Sequence, residues 1–179
     1  MTRSQLTNAD QQLAQSARKA SFNAYAPYSG YAVGAAVRTK SGTIFTGANL
    51  ENASYGVTMC AEVAAITAAN SAGDFEIETI AVSGHKFLPP IITSEIVTPC
   101  GRCRQMILEA SQVSGVDIRV LCCSGDLNEV RVSRISELLP LSFGPENLGL
   151  SNVWPKMREK LKMEFQESQA LGANSALSS

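Results

Sequence analysis

The sequence predicts one three-layer α/β domain built around a mixed β-sheet. Segments with the 3.6-residue spacing of helices alternate with short runs rich in β-branched residues. The predicted order is helix, two strands, helix, strand, helix, strand, strand, which is typical of helices packed against a mixed sheet. The chain has 179 residues, and a domain of about 150 residues buries enough surface to fold without disulfide bonds.

Three helices are predicted within this domain. The first starts at a capping-box-like Thr7, and its apolar positions recur as far as Ala24, before Pro27. The second is an alanine-rich segment at 60–70, and the third covers 101–111.

Five strands are predicted between and after these helices. The first two flank the turn Lys40-Ser41-Gly42 and should pair as a hairpin. Segment 85–98 contains two prolines and no sustained period, so we expect a loop that carries His85 on the surface. Cys122 and Cys123 alternate on one strand, so one of them is expected to face the core. The predicted strands cover 32–39, 43–49, 78–83, 117–122 and 130–133.

The composition changes near residue 150, which predicts a domain at 1–150 and an appended segment at 151–179. The appended segment has an apolar stripe among charged residues, formed by Trp154, Met157, Leu161 and Phe165. We expect an amphipathic helix that docks on the same chain or on a neighbouring subunit, with a frayed end from Gly172 onward.

Charge and hydropathy exclude several classes of protein. The chain has 15 Lys and Arg against 16 Asp and Glu, a formal charge of -1, so it lacks the basic surface that nucleic-acid binding requires. It has no apolar run near the ~20 residues of a membrane span and no signal-peptide core. We therefore expect a cytoplasmic protein with neither nucleic acid nor membrane as a partner.

Three of the five cysteines suggest a metal site. Cys60 and the pair Cys100 and Cys103 stand at predicted helix starts, where the helix dipole favours thiolates. Three sulfurs would hold a tetrahedral Zn²⁺ with its fourth position open, and Glu62 could move a proton there. Two different interpretations stay open: a redox Cys-x-x-Cys with an unrelated Cys60, or a closed zinc module that includes Cys122 or Cys123.

Longer motifs resemble the small, homotetrameric, zinc-dependent cytidine deaminases over about residues 10–150. The resemblance implies a three-layer α-β-α cytidine deaminase-like fold with a mixed five-stranded sheet. The motifs are Ala26-Pro27-Tyr28-Ser29, Val33-Gly34-Ala35-Ala36, the run from Gly47 to Gly56, Cys60-Ala61-Glu62, Pro99-Cys100-Gly101-Arg102-Cys103-Arg104-Gln105, Leu138-Leu139-Pro140 and Phe143-Gly144-Pro145.

The resemblance also implies a reaction: hydrolytic deamination of cytidine and 2'-deoxycytidine to uridine and 2'-deoxyuridine in pyrimidine salvage. Cys60, Cys100 and Cys103 would bind one zinc ion per subunit, and Glu62 would shuttle protons. Asn49 and Glu51 match the pair that holds the ribose. Active sites would lie at subunit interfaces of a homotetramer, with further substrate contacts from Tyr31, Ala53, Tyr55, Ala61 and Phe143.

The sequence departs from the family pattern beside the catalytic glutamate. Val63 stands where members with three cysteine ligands usually have Arg, although three thiolates and Zn²⁺ sum to a charge of -1. We hypothesise that Arg102 or Arg104 supplies the compensating charge. The same departure keeps open a blasticidin S-type deaminase of modified cytosine nucleosides. Two further functions are compatible with the zinc motif, namely a polynucleotide-editing deaminase and a non-catalytic zinc domain.

Overall fold

The computed structural model describes residues 2–87, 90–91, 94–150 and 153–176, with the side chains of 90–91 and 169–176 left aside. The chain forms two compact units, Met1–Ser142 and Phe143–Ser179. The first unit contains the sheet and four helices. These are α1 (Asn8–Ser21), α2 (Ala61–Ser71), α3 (Gly101–Ser114) and the short α4 (Ile135–Leu138).

The sheet is mixed, as predicted. Its main path runs β2-β1-β3-β5-β6, and the two-residue β4 pairs with the end of β3. Only β3 and β5 are parallel along this path, and α3 lies in the connection between them. The strands are β1 (Tyr31–Thr39), β2 (Ile44–Ala48), β3 (Ile77–Phe87), β4 (Pro90–Ile91), β5 (Arg119–Cys123) and β6 (Val130–Arg134).

Helices cover both faces of this sheet, which confirms the three-layer prediction. On one face, Leu13 and Ala17 of α1 pack with Ala36, Ala81 and Leu121. On the opposite face, apolar residues of α2 and α3 pack with alternate strand residues, among them Ala35, Val37, Ile80, Val82 and Val120. Because successive strand side chains point to opposite faces, each central strand contributes to both cores.

Two glycines set the helix positions. A Cβ at Gly34 would collide with the backbone of Ala17 and Ser21 in α1, and a Cβ at Gly47 would collide with the backbone of α2 at Ala61 and Ala65. The two helices therefore approach the strand backbone closely. For α2 this approach fixes the position of the helix start, which carries Cys60 and Glu62.

Three sequence-based expectations were wrong in detail. Helix α1 ends at Ser21 rather than near Ala24. Strand β3 continues to Phe87, so His85 lies in a strand and is 7% exposed instead of lying on the surface. Cys122 and Cys123 are both fully buried, one in each core, because both faces of β5 are covered.

The second unit contains the long helix α5 (Val153–Ala176). Met157, Leu161 and Phe165 of the predicted apolar stripe are each more than half exposed. The helix includes Gly172, where fraying was expected, and 177–179 lie outside the described residues. No helix in the described part of the chain is long and apolar enough to cross a membrane.

Candidate active site

Two helix starts bring three cysteines together. Cys60 is the extended N-cap of α2 and Cys100 is the extended N-cap of α3, while Cys103 lies in the first turn of α3. The Cys60 and Cys100 sulfurs are 3.9 Å apart, and the Cys100 and Cys103 sulfurs are 3.6 Å apart. The predicted cluster therefore forms because α2 and α3 share one core with their N-termini at the same end.

The spacing of these sulfurs fits a tetrahedral zinc ion. All three Sγ atoms lie within 4.8 Å of one another. With Zn–S bonds of about 2.3 Å, tetrahedral geometry requires S···S separations of about 3.8 Å. Among the residues that the structure describes, this is the only group of three or more potential ligands, so Cys122 and Cys123 are not part of it. Three sulfurs leave a fourth position open, as in catalytic zinc sites.

The pKa values of Cys60 and Cys103 are shifted in opposite directions. A hydrogen bond from Cys103 has the largest effect on the pKa of Cys60; burial opposes it, and Cys100 and the charge of Arg102 add to it, so the pKa of Cys60 falls to about 6. The same hydrogen bond to Cys60, together with burial, strongly raises the pKa of Cys103. A thiolate at neutral pH at Cys60 gives the cluster a ready metal ligand.

Glu62 lies in the first turn of α2 and is 4% exposed. Burial raises the pKa of its carboxyl group, and the charge of Cys60 adds to this effect, while hydrogen bonds from its own backbone N–H and from the Cys103 side chain oppose it. A buried carboxyl group with a raised pKa, within hydrogen-bonding reach of a metal ligand, is a candidate for general acid–base catalysis.

Two arginines lie around the cysteine cluster. Arg102 is exposed and donates from Nη1 to the carbonyl of Thr58 across 3.1 Å. Arg104 donates from Nε to the carbonyl of Pro99 (2.9 Å) and from Nη1 to that of Leu138 (3.0 Å). Arg104 therefore braces the turn before Cys100, whereas Arg102 reaches the chain before Cys60.

Asn49 and Glu51 follow strand β2, and the backbone holds both side chains. Asn49 accepts from the N–H of Val33 through Oδ1 (2.9 Å) and donates through Nδ2 to the carbonyl of Tyr31 (3.0 Å). Glu51 Oε2 accepts from the N–H groups of Tyr28 (2.9 Å) and Ser29 (3.2 Å). Burial alone would raise the pKa of Glu51, but a hydrogen bond from the Ser29 side chain and these two backbone hydrogen bonds lower it overall, so the side chain is a carboxylate at neutral pH.

A cavity of about 360 Å³ opens beside Glu51. Its wall includes the rings of Tyr28 and Tyr55, which meet edge to face with centroids 5.8 Å apart. Ser29 and Thr58 complete the described lining. Sequence reasoning did not select Thr58 as a site residue; its position two residues before Cys60 was the available signal.

The remaining predicted site residues differ widely in exposure. Ala61 is fully buried and Val63 is 5% exposed, so the residue after Glu62 is an apolar part of the helix packing. Tyr31 begins β1 and is half-buried, whereas Ala53 is exposed. Phe143, the first residue of the second unit, is 62% exposed.

The chain is similar in sequence to known proteins. Residues 7–118 match the family described as the cytidine and deoxycytidylate deaminase zinc-binding region. The chain is 39% identical over 133 residues to a cytidine deaminase of Mycobacterium tuberculosis, covering 74% of this chain and 87% of that protein. It is 41% identical over 140 residues to one of Halalkalibacterium halodurans, covering 77% and 96%.

Solved structures agree with the sequence comparisons. A crystal structure of cytidine deaminase from Burkholderia pseudomallei superposes with a TM-score of 0.66 at 38% identity, covering 77% of this chain and all of that one. The matched zinc-binding region includes Cys60, Cys100 and Cys103 as well as Glu62. The chain belongs to the cytidine and deoxycytidylate deaminase zinc-binding family.

Proposed function

We propose that this protein hydrolyses cytidine and 2'-deoxycytidine to uridine and 2'-deoxyuridine with release of ammonia. The observation that carries the proposal is the meeting of three thiols, with sulfurs within 4.8 Å of one another, next to the buried carboxyl group of Glu62. A purely structural zinc site has no use for a buried carboxyl group with a raised pKa beside the metal ligands.

Cys60, Cys100 and Cys103 would hold one zinc ion per subunit, since their sulfur donors and spacing fit that metal. When bound, the ion supplies a Lewis acid that lowers the pKa of a water molecule toward ~7. Two helix N-termini meet at this cluster, and their dipoles favour a negatively charged set of ligands.

Glu62 would carry the protons of the reaction. Its carboxylate takes a proton from the water that attacks C4 of the pyrimidine, and the resulting acid delivers that proton to N3. The same carboxyl group then transfers the remaining hydroxyl proton to the amino group at C4, which leaves as ammonia when the C4–N bond breaks. One water is consumed, the uracil ring is left with a C4 carbonyl, and Glu62 returns to its starting state.

Asn49 and Glu51 would hold the ribose. The hydrogen bonds from the N–H groups of Tyr28 and Ser29 fix Oε2 of Glu51 at the edge of the cavity, where the carboxylate would accept from a sugar hydroxyl. A hydroxyl partner of this kind gives specificity, because an analogue without the hydroxyl leaves a polar group unpaired.

The site would be completed in a homotetramer, with active sites at subunit interfaces. Exposed apolar side chains around the cavity support this proposal, since Leu50, Tyr55 and Val57 are each more than half exposed. Tyr31 and Ala61 would contact the base from the same subunit. Ala53, Tyr55 and Phe143 would reach a neighbouring subunit's site.

The surroundings fit a free nucleoside as the substrate. A net charge of -1 gives no electrostatic footprint for a nucleic-acid strand. We place the protein in the cytoplasm, in pyrimidine salvage, with neither nucleic acid nor membrane as a partner. Residues 1–150 would form the deaminase domain, and residues 151–179 an appended segment.

The decisive experiment measures the ultraviolet absorbance of cytidine and of 2'-deoxycytidine with the zinc-loaded protein. We expect loss of the cytosine band, and a decrease of at least about 100-fold in kcat in Glu62→Gln with zinc content unchanged. Glu78→Gln, which alters an exposed carboxyl group on β3, should retain the wild-type rate. If the zinc-loaded protein leaves cytidine intact but deaminates blasticidin S, a modified cytosine nucleoside is the substrate instead. We include blasticidin S because Val63 departs from the family pattern.

A further inference from the structure

Arg102 links the two halves of the cysteine cluster. It stands between Cys100 and Cys103 in the first turn of α3, yet its Nη1 donates to the carbonyl of Thr58, two residues before Cys60. The side chain therefore connects the helix that carries two sulfurs to the chain segment that carries the third.

The segment held by Arg102 is a closed loop. Leu50 and Met59 exchange two backbone hydrogen bonds of 2.9 Å, and the N–H of Asn52 donates to Oγ1 of Thr58 across 3.2 Å. Thr58 also donates its N–H to the carbonyl of Tyr55 across 3.1 Å. Because these bonds join Thr58 to both ends of the loop, a hydrogen bond at Thr58 restrains both Tyr55 on the cavity wall and the chain that leads to Cys60.

Arg102 brings a positive charge close to the cysteine sulfurs. Three thiolates and Zn²⁺ leave a net charge of -1, and the helix residue after Glu62 is the apolar, buried Val63. Arg104 directs its hydrogen bonds to the carbonyls of Pro99 and Leu138. Arg102 thus combines a tether to the loop with a positive charge beside the sulfurs.

We propose that Arg102 is a positioning residue that fixes the spacing of the metal ligands and the Thr58 wall of the substrate cavity through one hydrogen bond. The cavity part rests on the proposed deaminase function, whereas the metal part does not. Loss of the side chain should therefore weaken metal binding and raise KM together.

The test measures Co²⁺ affinity by titrating the metal-free protein and following the thiolate-to-cobalt absorption band, and measures KM and kcat for cytidine separately. In Arg102→Ala we expect Co²⁺ affinity to fall about 10- to 100-fold, as for other residues that orient metal ligands. We also expect the band to shift and KM to rise several-fold. Arg102→Lys, which keeps the charge and one donor, should recover most of both losses.

Arg134→Ala is the matched control. Arg134 is also exposed and also donates to a distant backbone carbonyl, that of Asp117 across 2.8 Å. Its removal should lower thermal stability about as much as Arg102→Ala, without changing Co²⁺ affinity or KM. Arg102→Gln separates the charge from the hydrogen bond, because an amide can still donate to Thr58: KM should stay near the wild-type value, and Co²⁺ affinity should fall less than in Arg102→Ala. Arg102→Met, which removes both the charge and the donor but keeps an unbranched side chain, replaces Arg102→Ala if that variant does not fold.

Wild-type Co²⁺ affinity and wild-type KM in Arg102→Ala, or in Arg102→Met if Arg102→Ala does not fold, would overturn the proposal. Equal losses in Arg102→Ala and Arg134→Ala would also overturn it, since they would reveal a general loss of stability. If the wild-type protein leaves cytidine intact, the deaminase proposal fails, and the Co²⁺ titration still decides whether Arg102 positions the metal ligands.

Discussion

Arg18 donates a hydrogen bond from Nη1 to Nδ1 of His85 across 3.0 Å and ties the last turn of α1 to β3 through the only histidine of the chain. A guanidinium group can only donate, so Nδ1 must be unprotonated and the proton of the neutral ring must be on Nε2. The ring of Phe22 lies 5.3 Å from that of His85, and Arg18 lies over the Phe22 ring at 4.4 Å.

His85 should titrate below the usual range of histidine. Burial lowers its pKa, and the charge of Arg18 lowers it further. The unfolded chain therefore binds the proton first as the pH falls, so this contact stabilises the fold fully above about pH 6.5 and is lost as the pH passes through the lowered pKa. One imidazole signal in an NMR titration gives the pKa and the tautomer directly.

A companion variant checks the energetic consequence. In His85→Asn, an amide oxygen can replace Nδ1 as the acceptor for Arg18, and no titrating group remains. Thermal stability of the variant should depend less on pH between about 5 and 7 than that of the wild type. A wild-type ring that titrates at or above the usual value would contradict the buried contact with Arg18.

Asp10→Asn should destabilise the fold by about 2 kcal/mol at neutral pH, between the values for surface and buried ion pairs. Asp10 is buried at the start of α1 and pairs with Arg119 at 2.8 Å and with Arg38 at 3.2 Å. Burial alone would raise the pKa of Asp10, but hydrogen bonds from Arg119 and Thr7 and the charge of Arg119 lower it overall.

The lowered pKa of Asp10 determines how its contribution to stability depends on pH. Because the folded-state pKa of Asp10 is lowered, its stabilisation is complete above the unfolded value of about 3.9 and is lost as the pH falls through the folded value. Urea unfolding at pH 7 and pH 3 should therefore show the variant approaching the wild type in acid. Glu76→Gln, which breaks the exposed pair with Lys40, should cost less than about 1 kcal/mol at either pH.

Much of this fold and site could be predicted because the signals are local. Helical spacing and the Cys-x-x-Cys after Pro99 depend on neighbouring residues, and the start of α1 at Thr7 has the predicted cap. The extension of β3 through His85 could not be predicted, since prolines follow closely and the strand exists through pairing with β1. The partner of Arg102 is a backbone carbonyl, which every residue has, so the sequence carries no signal for that bond.

Removal of zinc should lower thermal stability. A metal bound by the folded chain at about 1,000 times its Kd stabilises it by about 4 kcal/mol, provided the unfolded chain binds weakly. A chelator should therefore lower the Tm of the wild type by several degrees. In Cys103→Ser the chelator should lower the Tm much less, because this variant lacks one of the three metal ligands, the buried thiol of Cys103. An equal decrease in both proteins would place the stabilising metal elsewhere.

Glu51→Gln should raise KM for cytidine about tenfold with little change in kcat, since a hydrogen bond to a carboxylate contributes about 1.5–3 kcal/mol. The variant keeps an oxygen to accept from Tyr28 and Ser29, so the cavity wall should stay in place. With 2',3'-dideoxycytidine the variant and the wild type should have similar KM values. If the ratio of the variant's KM to the wild-type KM is the same for both substrates, Glu51 does not contact a sugar hydroxyl.

Deletion of 151–179 should leave a folded protein that binds one zinc ion. Every residue that the structure describes in the two hydrophobic cores lies between Leu6 and Leu139. Met157, Leu161 and Phe165 are exposed, and their removal should make the protein more soluble if no partner covers them. Circular dichroism and zinc analysis test the fold, and sedimentation tests whether α5 contributes to assembly. A truncated chain that unfolds would show that the deaminase domain extends beyond residue 150.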